Sequence, residues 1–240
     1  MSASTTASEP DRIALIHATA LAMAPVQQAF ARHWPEAQCM NVLDDSLSAD
    51  HARACGVLSP AMTQRFDDLA HYSKRTGCTG ILFTCSAFGP AIEAAGASVG
   101  IPTLKPNEAM FEQALTLTQA CSEGSASMGL IATFEASLPS MAAELQALAA
   151  ARGRSIVLHT AFVPEAMQDL AEGRADMHHR KIAAAAEKAF KTCSVVMLAQ
   201  FSMAAALAQV QTCVAATVLS SPDCAVLALK KAVSTSSLQR

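Results

Sequence analysis

The sequence reads as an α/β protein of two pseudo-symmetric lobes, each a parallel sheet flanked by helices, with a site in the cleft between them. Strand-length apolar runs alternate with amphipathic helical stretches, the pattern of parallel sheets covered by helices. The order strand, polar tip, helix recurs in both halves of the chain. A chain of 240 residues, 52% of them hydrophobic and only 15% charged, has ample apolar material to bury two such cores.

In chain order, strands are expected at 13–17, 38–42, 80–83 and 103–104, then at 128–132, 155–160, 195–198 and 218–219. Most are short apolar runs bounded by polar residues. Amphipathic helices are expected at 23–34, 59–76, 90–95, 107–121, 137–151, 178–192 and 203–214, several of them supported by Ala-rich spacing. The stretch 122–127 lacks apolar periodicity and precedes a fresh strand, which marks it as the linker. The expected layout is a disordered tail at 1–10, a first lobe at 11–121, a second lobe at 128–217 and a C-terminal segment at 218–240 that returns to the first lobe.

The halves match at four landmarks. Ile13-Ala14-Leu15-Ile16-His17-Ala18-Thr19 corresponds to Met128-Gly129-Leu130-Ile131-Ala132-Thr133-Phe134, and each is followed by a helix. A second strand and loop follow, Asn41 to Ser46 in one half and His159 to Pro164 in the other. Each half then reaches its own tip: Ile81-Leu82-Phe83-Thr84-Cys85-Ser86 in the first, Val196-Met197-Leu198-Ala199-Gln200 in the second. Four matches in order favour true duplication over the loose likeness of all βαβ chains. Duplicated lobes place equivalent strand ends face to face, and ligands of open α/β sheets bind beyond those ends. Thr19, Cys85, Thr133 and Gln200 are expected to meet there.

Composition excludes several classes. A net charge of −3 with scattered Lys and Arg offers no basic field for nucleic acid or anionic lipid. No apolar run is long enough to cross a bilayer. Residues 1–10 lack the basic start and apolar core of a signal peptide, so a cytoplasmic location is expected. The eight cysteines show no CxxC or Cys/His ligand spacing and read mostly as small core residues in a reducing compartment. With no Gly-rich phosphate loop after the first strand and no ligand cluster, neither a cofactor nor a metal is expected.

Cys85 carries the chemistry. A thiol at the carboxyl end of a sheet, beside a helix N-terminus, meets unpaired N–H groups and a helix dipole that favour a thiolate. Such a group moves protons or attacks carbon.

The Thr84-Cys85-Ser86 tip, the run Gly129-Leu130-Ile131-Ala132-Thr133 and the run Val196-Met197-Leu198-Ala199-Gln200 together resemble the aspartate/glutamate racemase superfamily, which includes hydantoin racemases, maleate isomerases and arylmalonate decarboxylases. The resemblance extends from Ile13 to about Leu219. In racemases of that superfamily two cysteines face each other across the substrate's α-carbon, one removing a proton while the other returns it. Cys85 matches the first, but Gln200 stands at the second, and a neutral amide exchanges no proton usefully near pH 7. Cys193 precedes its strand, and so is expected at the opposite end of the sheet.

What remains is one-thiol chemistry, as in the arylmalonate decarboxylases, whose single cysteine lies in the second lobe. The resemblance therefore implies a cofactor-independent racemase-like isomerase or lyase acting at the carbon α to a carboxylate. Cys85 would be catalytic, and Thr19, Thr84, Ser86, Thr133, Phe134, Gln200 and Ser202 would contact a small carboxylic acid. Neutral donors suit a developing enediolate without over-binding the carboxylate. The alternative is a non-catalytic small-carboxylate binding or sensor protein on the same fold. A homo-oligomer, dimer or tetramer, is the family expectation.

Other residues take plainer assignments. His17, just before the first strand's end, is expected to be a hydrogen-bonded structural histidine more than an acid–base group. Asp44 and Asp45 beside Ser46 read as a turn and helix cap. His178 and His179 are adjacent on a helix and diverge by about 100°, which argues against a shared metal. Phe88, Phe134 and Phe201 hint at an aryl substituent, yet phenylalanine at strand ends is more often core.

Overall fold

A computed structural model describes residues 10–119 and 126–238. Among these residues β1 (Arg12–His17), β2 (Gln38–Leu43), β3 (Gly80–Phe83) and β4 (Thr103–Leu104) form one parallel sheet in the order β2-β1-β3-β4. A second parallel sheet, in the order β6-β5-β7-β8, is built from β5 (Ala126–Ala132), β6 (Ile156–Phe162), β7 (Val195–Leu198) and β8 (Thr217–Ser220). Both central runs β3 and β7 are buried at every position, because helices cover both faces of each sheet. The edge strands β2 and β6 carry the polar residues Gln38, Asn41, His159 and Thr160 on exposed positions.

The helices are α1 (Met23–His33), α2 (Ser46–Arg53), α3 (Pro60–Arg75), α4 (Gly89–Val99), α5 (Glu108–Leu117), α6 (Leu138–Ala151), α7 (Ala166–Ala171), α8 (Ala175–Ala189), α9 (Leu207–Cys213) and α10 (Ser221–Leu238). Local chemistry sets their ends. Ser59 caps α3 by accepting the Met62 N–H at 3.2 Å, with Pro60 in the first turn, where its missing N–H costs nothing. Gly100 ends α4 in the left-handed region at φ 68°, which a side chain would disfavour. Helices α2 and α7, eight and six residues long, fall where the sequence shows too little periodicity to announce them. Asp45 precedes α2 without a capping bond from its side chain, whereas Asp44 accepts from Ser46 and pairs with Arg65, each at 2.6 Å.

The backbone repeats between lobes down to single hydrogen bonds. The N–H of Thr84 donates to Ile16 O and that of Ala199 to Ile131 O, each at 3.0 Å. Thr79 N–H to Arg12 O and Ser194 N–H to Ser127 O are both 2.8 Å. Ile13 pairs with Gly80 as Met128 pairs with Val195. Counting on from these registers places Cys85 and Gln200 at equivalent positions.

Packing crosses the sequence halves. Helix α5 belongs to the first half, but its Met110, Phe111, Ala114 and Leu115 join the core of the second sheet with Met128, Leu130 and Met197. Helix α10 packs Val226, Leu229 and Val233 against Ile13, Leu15 and Leu82 of the first sheet. Gly80 admits this helix, since a Cβ there would lie 2.8 Å from the Val233 side chain. Of the expected linker, Ala126 and Ser127 open β5; residues 122–125, the end of the expected helix at Cys121, and residues 1–9 of the tail lie outside the described residues.

Candidate active site

The first-lobe tip is built on β1 and β3. Residues 80–83 are apolar and buried and Thr84 is buried after them, so the chain first reaches a half-exposed position at Cys85, at the carboxyl end of the sheet. Buried His17 ends β1, with Nδ1 2.9 Å from Thr84 Oγ1 and Nε2 3.0 Å from Asn41 Oδ1. A neutral ring satisfies both: Nε2–H donates to Asn41, and Nδ1 accepts from the Thr84 hydroxyl. Burial lowers the His17 pKa against the raising effect of the Asn41 bond, which keeps the ring neutral. His17 is thus a partnered structural group, and the Thr84 hydroxyl is occupied within the fold.

Cys85 follows directly. Its side chain is half-buried against the first-lobe core and takes no side-chain hydrogen bond among the described residues. Burial pushes the thiol up to about 11, only partly opposed by the Ala87 backbone N–H. The expectation of a favoured thiolate is therefore reversed: the surroundings of Cys85 favour the neutral thiol. The reason is local. The chain enters a single 3-10 turn, Ser86–Phe88, before α4 begins at Gly89, so one N–H reaches the sulfur where a helix N-terminus would offer several. Apolar neighbours supply no compensating positive charge.

The second-lobe tip is closed by its own side chains. Gln200 Oε1 accepts the Thr133 backbone N–H at 2.9 Å and lies 3.4 Å from the Thr133 hydroxyl. Gln200 Nε2 donates to Ser137 Oγ at 3.0 Å, and Ser137 donates its own proton to Phe134 O at 2.8 Å. Because a backbone N–H must face an acceptor, this network fixes which way the amide points. Thr133 and Ser137 are buried, while Phe134 is 44% exposed.

Other candidates fall around these two groups. Thr19 Oγ1 caps the turn Ala20–Ala22 by accepting Leu21 N–H at 3.4 Å, which leaves its proton free to donate. That turn touches the 3-10 segment Phe201–Ala206, which follows Gln200 and carries Ser202, so the lobes meet beside Thr19. Phe201 is buried in a cluster with Ala22 and Val26, and Phe88 packs tilted against Phe66 with ring centroids 4.9 Å apart; both are core. Ser86 and Ser202 are half-buried, with no hydrogen-bond partner for either hydroxyl among the described residues. Cys193 receives a bond from Ser127 at 3.7 Å, at the amino end of β5 and away from the tips.

Asn41 and Ser137 were not anticipated from sequence. A polar residue inside a strand pattern and a serine at a helix start were the available signals, and each is common enough to pass unnoticed. Among the described residues no group of three or more His, Cys, Asp and Glu is arranged to hold a metal, and no helix is long and apolar enough to cross a membrane. An open depression of about 380 Å³ is lined by Leu58, Pro60, Thr63, Gln64, Asp67 and Ala94 and by none of the candidate residues.

Two four-stranded parallel sheets with equivalent tips at the carboxyl ends of β3 and β7 define the two-lobe racemase fold, shared with solved glutamate, aspartate and allantoin racemases. An allantoin racemase from Klebsiella pneumoniae superposes with a TM-score of 0.69 at 17% identity, covering 94% of this chain and 89% of that one. A glutamate racemase from Bacillus anthracis gives 0.68 at 13% identity over 95% and 83% of the two chains. One from Francisella tularensis, solved with D-glutamate, gives 0.65 at 14% identity over 96% and 83%. At these identities the likeness is one of fold. No protein-family model matches the sequence, and no curated protein is detectably similar to it.

Proposed function

We propose that the protein is a cofactor-independent, racemase-like isomerase or lyase acting at the carbon α to a carboxylate, with Cys85 as its single acid–base group. The observation that carries this reading is the asymmetry of equivalent tips: among the described residues, a thiol without side-chain hydrogen bonds in one lobe and an amide hydrogen-bonded at both its oxygen and its nitrogen in the other.

A neutral thiol is a proton donor, and a carbanion or enediolate is basic enough to take its proton. With no second base at the other tip, the electron pair at carbon arises most simply from loss of a carboxylate. The C–C bond breaks, carbon dioxide leaves, and the electrons delocalise into the remaining carboxylate as an enediolate. The Sγ–H proton then moves to one face of the carbon, and solvent reprotonates the sulfur. The free hydroxyls of Thr19, Ser86 and Ser202 are suited to hold the enediolate oxygens. Isomerisation by the same thiol requires it to remove a proton as well as return one, which the raised thiol pKa disfavours.

That raised pKa also favours a second reading, a small-carboxylate binding protein without turnover. An NMR screen of small carboxylic acids in deuterated water separates the two. Decarboxylation or α-proton exchange that disappears in Cys85→Ala supports the enzyme, and binding without either supports the sensor.

A further inference from the structure

We infer that Gln200 is an internal occupant of a carboxylate-binding pair in the second lobe, and so determines which acids the site accepts. This deepens the reading of a carboxylate-processing cleft and rests on it. The Thr133 N–H and hydroxyl converge on one oxygen, Gln200 Oε1, at 2.9 and 3.4 Å. Two donors aimed at one oxygen beyond a strand's carboxyl end are the arrangement that holds a carboxylate or oxyanion. Here the chain supplies that oxygen itself.

The other end of the amide is held as firmly. Ser137 is buried, accepts from Nε2 at 3.0 Å, and gives its proton to Phe134 O, so it has no reason to release the side chain. The occupant is uncharged, and the surface around it favours no anion. Phe134 beyond β5 and Phe162 at the end of β6, whose Cα pairs with Ala132, are 44% and 37% exposed, and Glu135 follows with a negative charge. The accepted acid therefore presents an uncharged substituent to the second lobe. An acid whose second carboxylate lies along a side chain, and must reach this tip, is excluded. Two carboxylates on the same carbon remain compatible, since neither needs Thr133.

The test uses the full-length ¹⁵N-labelled chain, with acetate as the probe and the Thr133 amide resonance as the readout. In the parent, acetate leaves that resonance in place. In Gln200→Ala the amide exchanges faster with solvent, and it shifts saturably with acetate at an affinity about tenfold or more above the parent. Equal titration of both proteins, or a Thr133 resonance indifferent to the substitution, overturns the inference. Gln200→Glu guards against a tip that simply collapses, because it keeps the side chain's size. The introduced carboxyl should titrate below the ordinary glutamate range, held there by Thr133, and a value at or above that range overturns the proposal. None of these readouts depends on turnover. If Cys85 proves inert while Thr133 behaves as stated, the catalytic reading fails alone.

Discussion

The two lobes share a backbone and differ in how each joins its first strand to its third. In the first lobe the link is His17 to Thr84, made one residue before the tip, and Cys85 is left without a polar side-chain partner. In the second lobe the tip residue Gln200 makes the link itself, to Thr133. The same structural need, tying two strand ends together, is met one position apart. That shift leaves the first-lobe tip residue without a side-chain hydrogen bond among the described residues and engages the second-lobe one. Their buried histidines differ as well. His17 has partners on both ring nitrogens, whereas among the described residues neither nitrogen of His178 has a hydrogen bond.

Removing the available group should have the largest effect. Cys85→Ala is expected to lower turnover of the true substrate by roughly a hundred- to ten-thousandfold, the usual contribution of a positioned general acid, while circular dichroism stays unchanged. Near-normal rates in the variant would place the chemistry elsewhere.

The histidine contrast gives the next effect. Burial, with repulsion from His179, lowers the His178 pKa from 6.5 to about 4, against a raising effect of Asp169. The unfolded chain therefore takes up this proton first as pH falls. Stability contributed by the neutral ring is complete above pH 6.5 and is lost progressively down to about 4. The full loss is on the order of 3 kcal/mol. His178→Leu should flatten that part of a urea-denaturation pH profile and raise stability near neutrality, since it removes two unpaired buried polar atoms. His17 shifts in the same direction, but His17→Leu should destabilise by about 1–3 kcal/mol because it strands Thr84 and Asn41. If both variants changed stability alike, the distinction between the two rings would fail.

Exchanging the tips tests the comparison more gently. Gln200→Cys is expected to cost about 1–3 kcal/mol by leaving Thr133 and Ser137 unpartnered, while placing a second thiol at the tip equivalent to Cys85. Placement off by about an ångström costs roughly a hundredfold in rate, so the gain shows in stereochemistry before it shows in speed. Product formed as one enantiomer by the parent should become partly racemic on chiral chromatography. Unchanged stereochemistry, in a variant whose Cys85 still alkylates, would mean that position 200 does not face the substrate. The smallest effect belongs to Cys193→Ala, which removes a buried sulfur at the far end of the second sheet and should leave kcat and KM unaltered.

Much of this was legible in the sequence because duplication doubles the signal. Residues 80–83, 103–104 and 195–198 were read as strands with the bounds they have, since a buried parallel strand is a short apolar run between polar residues. The equivalence of Cys85 and Gln200 followed from the same alignment of halves. Less local features escaped. The packing of α5 against the second sheet depends on which sheet a helix covers, and amphipathic spacing says nothing about that. The Cys85 pKa was misjudged because a strand leading into a helical pattern does not reveal an intervening 3-10 turn. The Gln200 network needed Ser137, whose hydroxyl looks in sequence like any other at a helix start.

The stereochemistry of the unmodified protein in deuterated water tests the single-thiol site most directly. Incubated with a disubstituted malonic acid carrying an uncharged group, or with another acid it turns over, the protein should form product bearing one deuterium on a single face of the α-carbon. On the proposed reading one tip donates and the other stays silent. Product that is racemic from the first turnover, or that continues to exchange its α-proton in both configurations, would show two working acid–base groups and contradict the single-thiol site.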